Sequence, residues 1–120
     1  MPTISFLFFS GPYQSESPET TIELAKAALE KNMKVKIFCY MDAVNCVKTG
    51  QKKVPGVTNI EEQFRELITK GAEVRLCTLC MLVRGMLVRG TEAFIEGAKR
   101  GGTPDVADMV EESDRVLVIS

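Results

Sequence analysis

Apolar residues in this chain fall into short strand-length runs that alternate with stretches of helical period. Ile4 to Phe9 is nearly continuous in apolar character, as expected of a strand covered on both faces. A polar loop, Ser10-Gly11-Pro12-Tyr13-Gln14-Ser15-Glu16, comes next. Ser17 is then placed to cap a helix with Pro18 at its first position and Glu19 in its first turn. Ile22, Ala25 and Leu29 mark the expected buried stripe, helped by Leu24 and Ala28, and Asn32 can close the helix in a left-handed conformation. The plan then repeats: Val35 to Tyr40 reads as a strand and Asp42 to Lys48 as a short helix. The stretch from Thr49 to Thr58, with Gly50, Pro55 and Gly56, reads as a mobile loop. Asn59 and Glu62 form a capping-box-like pair ahead of a helix with Ile60, Phe64, Leu67 and Ile68 on its core face, ended by Gly71.

A third strand, Glu73 to Leu76, runs straight into Cys77-Thr78-Leu79-Cys80. Leu79, Leu82 and Val83 recur behind it at helical spacing and are expected to face the sheet, ending near Gly85. Leu82-Val83-Arg84-Gly85 and Leu87-Val88-Arg89-Gly90 are near duplicates, too short for a structural repeat and read as a loop or second helical turn. Thr91 to Gly97 looks helical, and Ala98 to Gly101 fits either a helix end or a short strand. Thr103-Pro104 opens a last helix carrying Val106, Met109 and Val110, before a final strand from Val116 to Ile119. Strands alternating with helices predict an α/β domain of three layers, with four to five mostly parallel strands and helices on both faces. Reaction sites in such sheets gather at the carboxyl ends of the strands. Ser10 to Ser15, Met41 to Asn45 and Cys77 to Cys80 are therefore expected along one edge.

At 120 residues the chain predicts one domain over 1–120, able to bury a core without metal or disulfide staples. Fifteen basic against sixteen acidic residues leave a net charge of −1, which points to neither a nucleic acid nor an anionic membrane as partner. The first residues lack the pattern of a signal peptide, and no apolar run approaches the roughly 20 residues of a bilayer span. A cytoplasmic protein is expected, and there four cysteines argue for thiol chemistry or metal binding over a disulfide framework.

Chemistry is narrowed further by the lack of any histidine, which excludes histidine-dependent triads and leaves a tetrahedral zinc site short of ligands. No metal and no cofactor are expected. Cys39 lies within an apolar strand, where a small buried hydrophobe is its expected role. Cys46, in the edge region, is within possible reach of Cys77 or serves in packing. Ser10-Gly11-Pro12 lacks the spacing of a phosphate loop, although Gly11, Tyr13, Gln14 and Ser15 can line a site near the thiols.

Cys77 falls at the carboxyl end of a strand and the amino end of a helix, where unpaired N–H groups and the positive dipole end favour thiolate over thiol. At about 100° per residue, Cys77, Cys80 and Arg84 share one stripe, opposite Leu79, Leu82 and Val83. That stripe is expected to face outward or into a cleft. Arg84 either supports the thiols or satisfies the last carbonyls of its helix.

Four stretches of the chain resemble the DsrE/DsrF/TusD-like sulfur-carrier family. They are Phe9-Ser10-Gly11-Pro12 with the later Ala27-Ala28-Leu29, then Val35 to Val44 through Asp42-Ala43, then Gly71 to Cys77 with Arg84-Gly85, and last Phe94-Ile95-Glu96-Gly97 with Ser113 to Leu117. The resemblance implies a flavodoxin-like α/β domain, a fourth strand at Ala98 to Gly101, and assembly into homo- or hetero-trimers or hexamers. It also implies a cytoplasmic carrier, sulfurtransferase-like, that accepts sulfane sulfur as a persulfide on Cys77. Sulfur-donor and sulfur-acceptor proteins would be its partners. Asp42, with Gly11, Tyr13, Ser15 and Arg84, would line the substrate side, while Met81 and the loop from Thr49 to Thr58 would form part of the docking surface. Cys80 departs from the family pattern, and as a neighbouring thiol it can attack a persulfide on Cys77. Asp42-Ala43 also stands where many members have Asp-Gly. Three rival readings remain: a thiol–disulfide oxidoreductase using Cys77 and Cys80, a non-catalytic subunit in which both cysteines only pack, and, as a minor option, metal binding through the thiols.

Overall fold

A computed structural model describes the backbone of residues 1–88 and 91–120. In chain order the elements are β1 (Thr3–Phe8), α1 (Ser17–Glu30), β2 (Lys34–Cys39), a 3-10 helix (Met41–Val47), α2 (Ile60–Thr69), β3 (Glu73–Cys77) and α3 (Thr78–Val83). Two short strands come next, β4 (Leu87–Val88) and β5 (Thr91–Glu92), then β6 (Lys99–Gly101), α4 (Thr103–Glu112) and β7 (Arg115–Ile119). Five strands pair in parallel in the order β6-β3-β2-β1-β7, while β4 and β5 form a separate antiparallel pair.

Handedness explains the layers. The chain steps outward from β1 through β2 and β3 to β6, then returns to place β7 beside β1. Right-handed crossovers in opposite directions put their helices on opposite faces. Side-chain alternation agrees: Phe8 stacks on Phe64 of α2 with ring centroids 6.0 Å apart, whereas Ser5 Oγ meets Ser113 Oγ at 2.5 Å, just past α4. Phe6, Phe8, Ile22, Ile37, Phe64 and Leu67 are fully or almost fully buried on the first face. Burial of each such large side chain contributes roughly 1.5–3 kcal/mol.

The α4 face is more polar at its centre. Lys36 is 8 % exposed, and its ammonium contacts Glu112 Oε2 at 2.5 Å and Glu73 Oε2 at 3.7 Å. The hydrogen bond from Lys36, and then its charge, holds the Glu112 carboxyl below the usual carboxylate range. Breaking the pair from the Glu112 side leaves a buried ammonium with a single distant partner.

Several expectations are met and others corrected. The strand at Lys99–Gly101 is present, Asn32 takes a left-handed conformation at φ 60°, and Asn59 caps α2 by accepting the Glu62 N–H at 2.9 Å. Ser17 does not cap α1: Glu16 holds the N-cap position, and the buried Ser17 donates from Oγ to the Ser120 carbonyl at 2.8 Å. Leu24 is exposed, because the stripe of α1 turns on Thr21, Ile22, Ala25 and Ala28.

Thr91 to Gly97 is not helical. Its backbone pairs with other segments, the Ile95 N–H donating to the Val47 carbonyl at 3.0 Å, and Ile95 is 1 % exposed. Tertiary pairing overrides the helical period there. Arg89-Gly90 of the near-duplicate tetrapeptide lie outside the described residues. The stretch from Thr49 to Thr58 is tied down by Gln51, whose Nε2 donates to the carbonyls of Asn45, Cys46 and Lys48, and by Tyr13, whose Oη donates to the Thr58 carbonyl at 2.6 Å.

Two stability measurements test this packing. Asn59→Ala should lower the unfolding free energy by about 1 kcal/mol in urea titration, through loss of the cap. Glu112 has a depressed carboxyl in the folded state, so its stabilisation is complete above the unfolded value near pH 4.3 and drains as pH falls through the folded one. Glu112→Gln should therefore be less stable than the parent at neutral pH, with the two melting temperatures converging on acidification.

Candidate functional site: a paired thiol at the carboxyl edge

At its carboxyl end β3 passes into α3 with no linking residue. Cys77 is both the last residue of the strand and the N-cap of the helix, with φ −60° and ψ 114°, and its Sγ accepts the Cys80 N–H at 3.3 Å. A sulfur thus fills the position that a hydroxyl or carboxylate oxygen more often holds. Thr78 fixes the junction from the other side by donating from Oγ1 to the Gly101 carbonyl at the end of β6, at 3.0 Å.

Cys80 lies one turn further on. Its Sγ accepts the Met41 N–H at 3.1 Å. Met41 has φ 52°, a left-handed conformation that its side chain disfavours, and this turn directs its amide at the sulfur. Arg84 ties the same elements together: Nε donates to Asp42 Oδ1 at 2.8 Å and Nη1 to the Cys80 carbonyl at 3.1 Å. The guanidinium therefore closes the helix end and also pairs with the edge of the neighbouring strand. Gly11 completes the contact, since a Cβ there would stand 3.2 Å from the Asp42 carbonyl oxygen and 3.4 Å from Asp42 Cβ. A side chain at Gly11 would require Gln14 or Asp42 to give way by a few tenths of an ångström.

Of the residues singled out from sequence, Cys77, Cys80, Asp42, Arg84 and Gly11 thus form one chain of contacts. Tyr13 and Ser15 are bonded elsewhere. Tyr13 Oη, besides bonding Thr58, accepts the Ile60 N–H at 3.3 Å and so clasps the start of α2, while Ser15 Oγ accepts the Ser17 N–H at 3.2 Å.

The orientation of α3 is the reverse of the sequence expectation. Leu79, Leu82 and Val83 are 68 %, 54 % and 71 % exposed, whereas Met81 is fully buried and Cys77 only 8 % exposed. This six-residue helix packs on the 3-10 segment Met41–Val47, itself lined by buried Ala43, Val44, Cys46 and Val47. The thiol stripe therefore faces that junction and not open solvent, and Met81 belongs to the core.

Burial, and then a hydrogen bond with Cys77, raise the Cys80 thiol above its ordinary value, while the Met41 amide and the Arg84 charge act in the opposite direction. Cys39 is raised well above the ordinary value by burial and by the neighbouring Cys46. Cys46 is pushed up to about 12 by burial, and its Sγ is 3.8 Å from the Ser10 carbonyl oxygen. Protonated and enclosed, this second pair serves in packing. Among the described residues no group of three or more Cys, Asp or Glu side chains is arranged to hold a metal ion. Nor is any helix among them long and apolar enough to cross a membrane.

Sequence reasoning missed the part played by Met41. Its contribution is a backbone amide set by a positive φ, and no residue type at that position signals it.

An all-parallel five-stranded sheet, helices on both faces and a thiol pair at its carboxyl edge define the class: a thiol-bearing α/β domain. Comparison with known proteins then fixes the family. The model of the DsrE/DsrF-like family matches residues 3–119, and the chain belongs to that family. It is 35 % identical to the uncharacterized protein MK0008 of Methanopyrus kandleri over 114 residues, which are 95 % of this chain and 91 % of that one. It is 31 % identical to the protein YchN of Escherichia coli, with 98 % of each chain covered. The crystal structure of that protein superposes with a TM-score of 0.88 over 99 % of this chain and 100 % of the other. MTH1491 of Methanobacterium thermoautotrophicum, of unknown function, shares the fold at 14 % identity and a TM-score of 0.76, with 98 % and 99 % covered.

Because Cys77 contributes to raising Cys80, Cys77→Ala should move the Cys80 titration down toward the ordinary thiol range. Alkylation of Cys80 by iodoacetamide at a fixed mildly alkaline pH should then be faster than in the parent. Arg84→Gln removes a nearby positive charge and should slow it.

Proposed function

We propose that this protein is a sulfur carrier of sulfurtransferase type, which accepts sulfane sulfur as a persulfide on Cys77 and passes it to a thiol of a partner protein. Family membership suggests a sulfur-relay role. The observation that carries the assignment to Cys77 is its place at the β3–α3 junction, where the Cys80 N–H donates to Sγ. Cys77 Sγ becomes the inner sulfur of the persulfide, and a donor already fixed on it needs no reorganisation to bond it in either state.

The low exposure of Cys77 is compatible with this role. A persulfide carries its transferable atom about 2 Å beyond Sγ, so the inner sulfur need not itself reach the surface. The exposed side chains of Leu79, Leu82 and Val83 on the outer side of α3, together with Met41 at 55 % exposure, form the surface that a partner meets. They replace Met81, which is buried, in that role. In the same reading donor and acceptor are proteins of the cytoplasm, and the chain works in a trimer or hexamer of itself or of related chains. No cofactor or metal takes part.

The placing of Cys80 one turn from Cys77, with its amide on Cys77 Sγ, favours a second reading, a thiol–disulfide oxidoreductase. The two separate on whether the protein takes up sulfur at all.

After anaerobic incubation of Cys80→Ser with inorganic polysulfide and removal of the excess, mass spectrometry should find one added sulfur, on Cys77. The double variant Cys77→Ser/Cys80→Ser should take up none. Sulfur found only on Cys39 or Cys46 would overturn the assignment.

A further inference from the structure

The geometry points to Cys80 as a discharge thiol that converts an undelivered persulfide on Cys77 into free sulfide, a role that rests on the persulfide reading above. Four observations converge on it. Cys80 is the half-exposed member of the pair, and its own amide already holds Cys77 Sγ at 3.3 Å. That bond keeps the inner sulfur of any persulfide beside the backbone of Cys80, the residue whose thiol must reach it. The Met41 N–H at 3.1 Å holds the Cys80 sulfur in the same junction. Arg84 grips the Cys80 carbonyl and Asp42 together, so the helix turn carrying Cys80 cannot swing off the strand edge without breaking an ion pair.

The step balances without any outside oxidant. Cys80 Sγ attacks Cys77 Sγ, the bond from Cys77 Sγ to the outer sulfur breaks, and a Cys77–Cys80 disulfide forms. The outer sulfur leaves with the electron pair as hydrosulfide and takes up the proton given by the Cys80 thiol, so that one persulfide and one thiol yield one disulfide and one hydrogen sulfide. The outer sulfur is reduced to sulfide, Cys80 Sγ is oxidised from the thiol to the disulfide level, and Cys77 Sγ exchanges one S–S bond for another without change. A dithiol reductant must then reopen the disulfide before the next cycle.

Two routes thus compete for the same sulfur. A docked acceptor thiol attacks the outer, exposed atom and carries it away, leaving Cys77 reduced. Without an acceptor, Cys80 attacks the inner atom. In the resting protein burial and the hydrogen bond with Cys77 keep the Cys80 proton in place, which slows discharge and gives an acceptor time to arrive. The pair is accordingly a timer on the carrier.

The wild-type protein, reduced and loaded anaerobically with inorganic polysulfide and then desalted, tests this directly. It should release about one equivalent of sulfide per loaded chain while peptide mapping finds a Cys77–Cys80 disulfide, and dithiothreitol should restore its capacity to load. Cys80→Ser, confirmed folded by circular dichroism, should keep its persulfide on Cys77 and release sulfide at least about tenfold more slowly. A wild-type persulfide that lasts as long as that of Cys80→Ser would overturn the discharge role, as would sulfur that migrates intact to Cys80. Failure of Cys80→Ser to load would instead overturn the persulfide assignment itself.

Discussion

The candidate site depends on one short connection, the passage from β3 into α3 with no residue between them. A strand end and a helix start that share Cys77 put a sulfur where a capping oxygen would be, facing the first free amides of the helix. An inserted residue would give the cap to another side chain and carry Cys77 out of reach of the Cys80 amide. With no histidine in the chain, the polar environment of the thiols is built from backbone N–H groups and one guanidinium. Backbone donors of this kind do not titrate.

The sheet supplies the rest. Parallel pairing of β1, β2 and β3 in register brings three strand ends to one edge, and the segments leaving those ends meet there. Gly11 lies just beyond β1, Met41 and Asp42 just beyond β2, and Cys77 ends β3. Arg84 joins the second and third of these groups through Asp42 and the Cys80 carbonyl. The site does not lie at the switch point of the sheet. The strand order reverses between β1 and β7, the usual crevice for ligands in open α/β sheets, and there Ser17 bonds directly to the Ser120 carbonyl. The thiols sit two strands away, at the carboxyl end of β3.

The sequence made most of this architecture legible because the strands are apolar runs bounded by turn residues, and their alternation with helices leaves few topologies open. The spacing of Cys77, Cys80 and Arg84 likewise announced a shared stripe. The direction of that stripe was not legible. In a six-residue helix, Leu79, Leu82 and Val83 look like a core face, yet one buried methionine and two small thiols supply the packing. Amphipathic period assigns a buried side only when a helix is long enough for its apolar area to decide how it lies, and α3 is too short for that. The segment from Thr91 to Gly97 failed for a related reason, since its backbone pairs with partners far away in sequence. Met41 could not be read at all, because its contribution is a φ angle.

The reversed helix changes what the chemistry requires. Had the thiols faced solvent, any small sulfur compound or oxidant would meet Cys77 on equal terms. Instead Cys77 is enclosed, Cys80 one turn further on is partly exposed, and three large apolar side chains stand out on the opposite side of the helix. Under the proposed carrier role, these water-exposed side chains are the surface a docking partner would gain most by burying. In the proposed carrier role, access to Cys77 would be conditional on docking, and a persulfide that met no partner would have its neighbour to react with. Enclosure of Cys77, outward-facing apolar side chains and paired thiols are three consequences of the same short helix lying against the 3-10 turn.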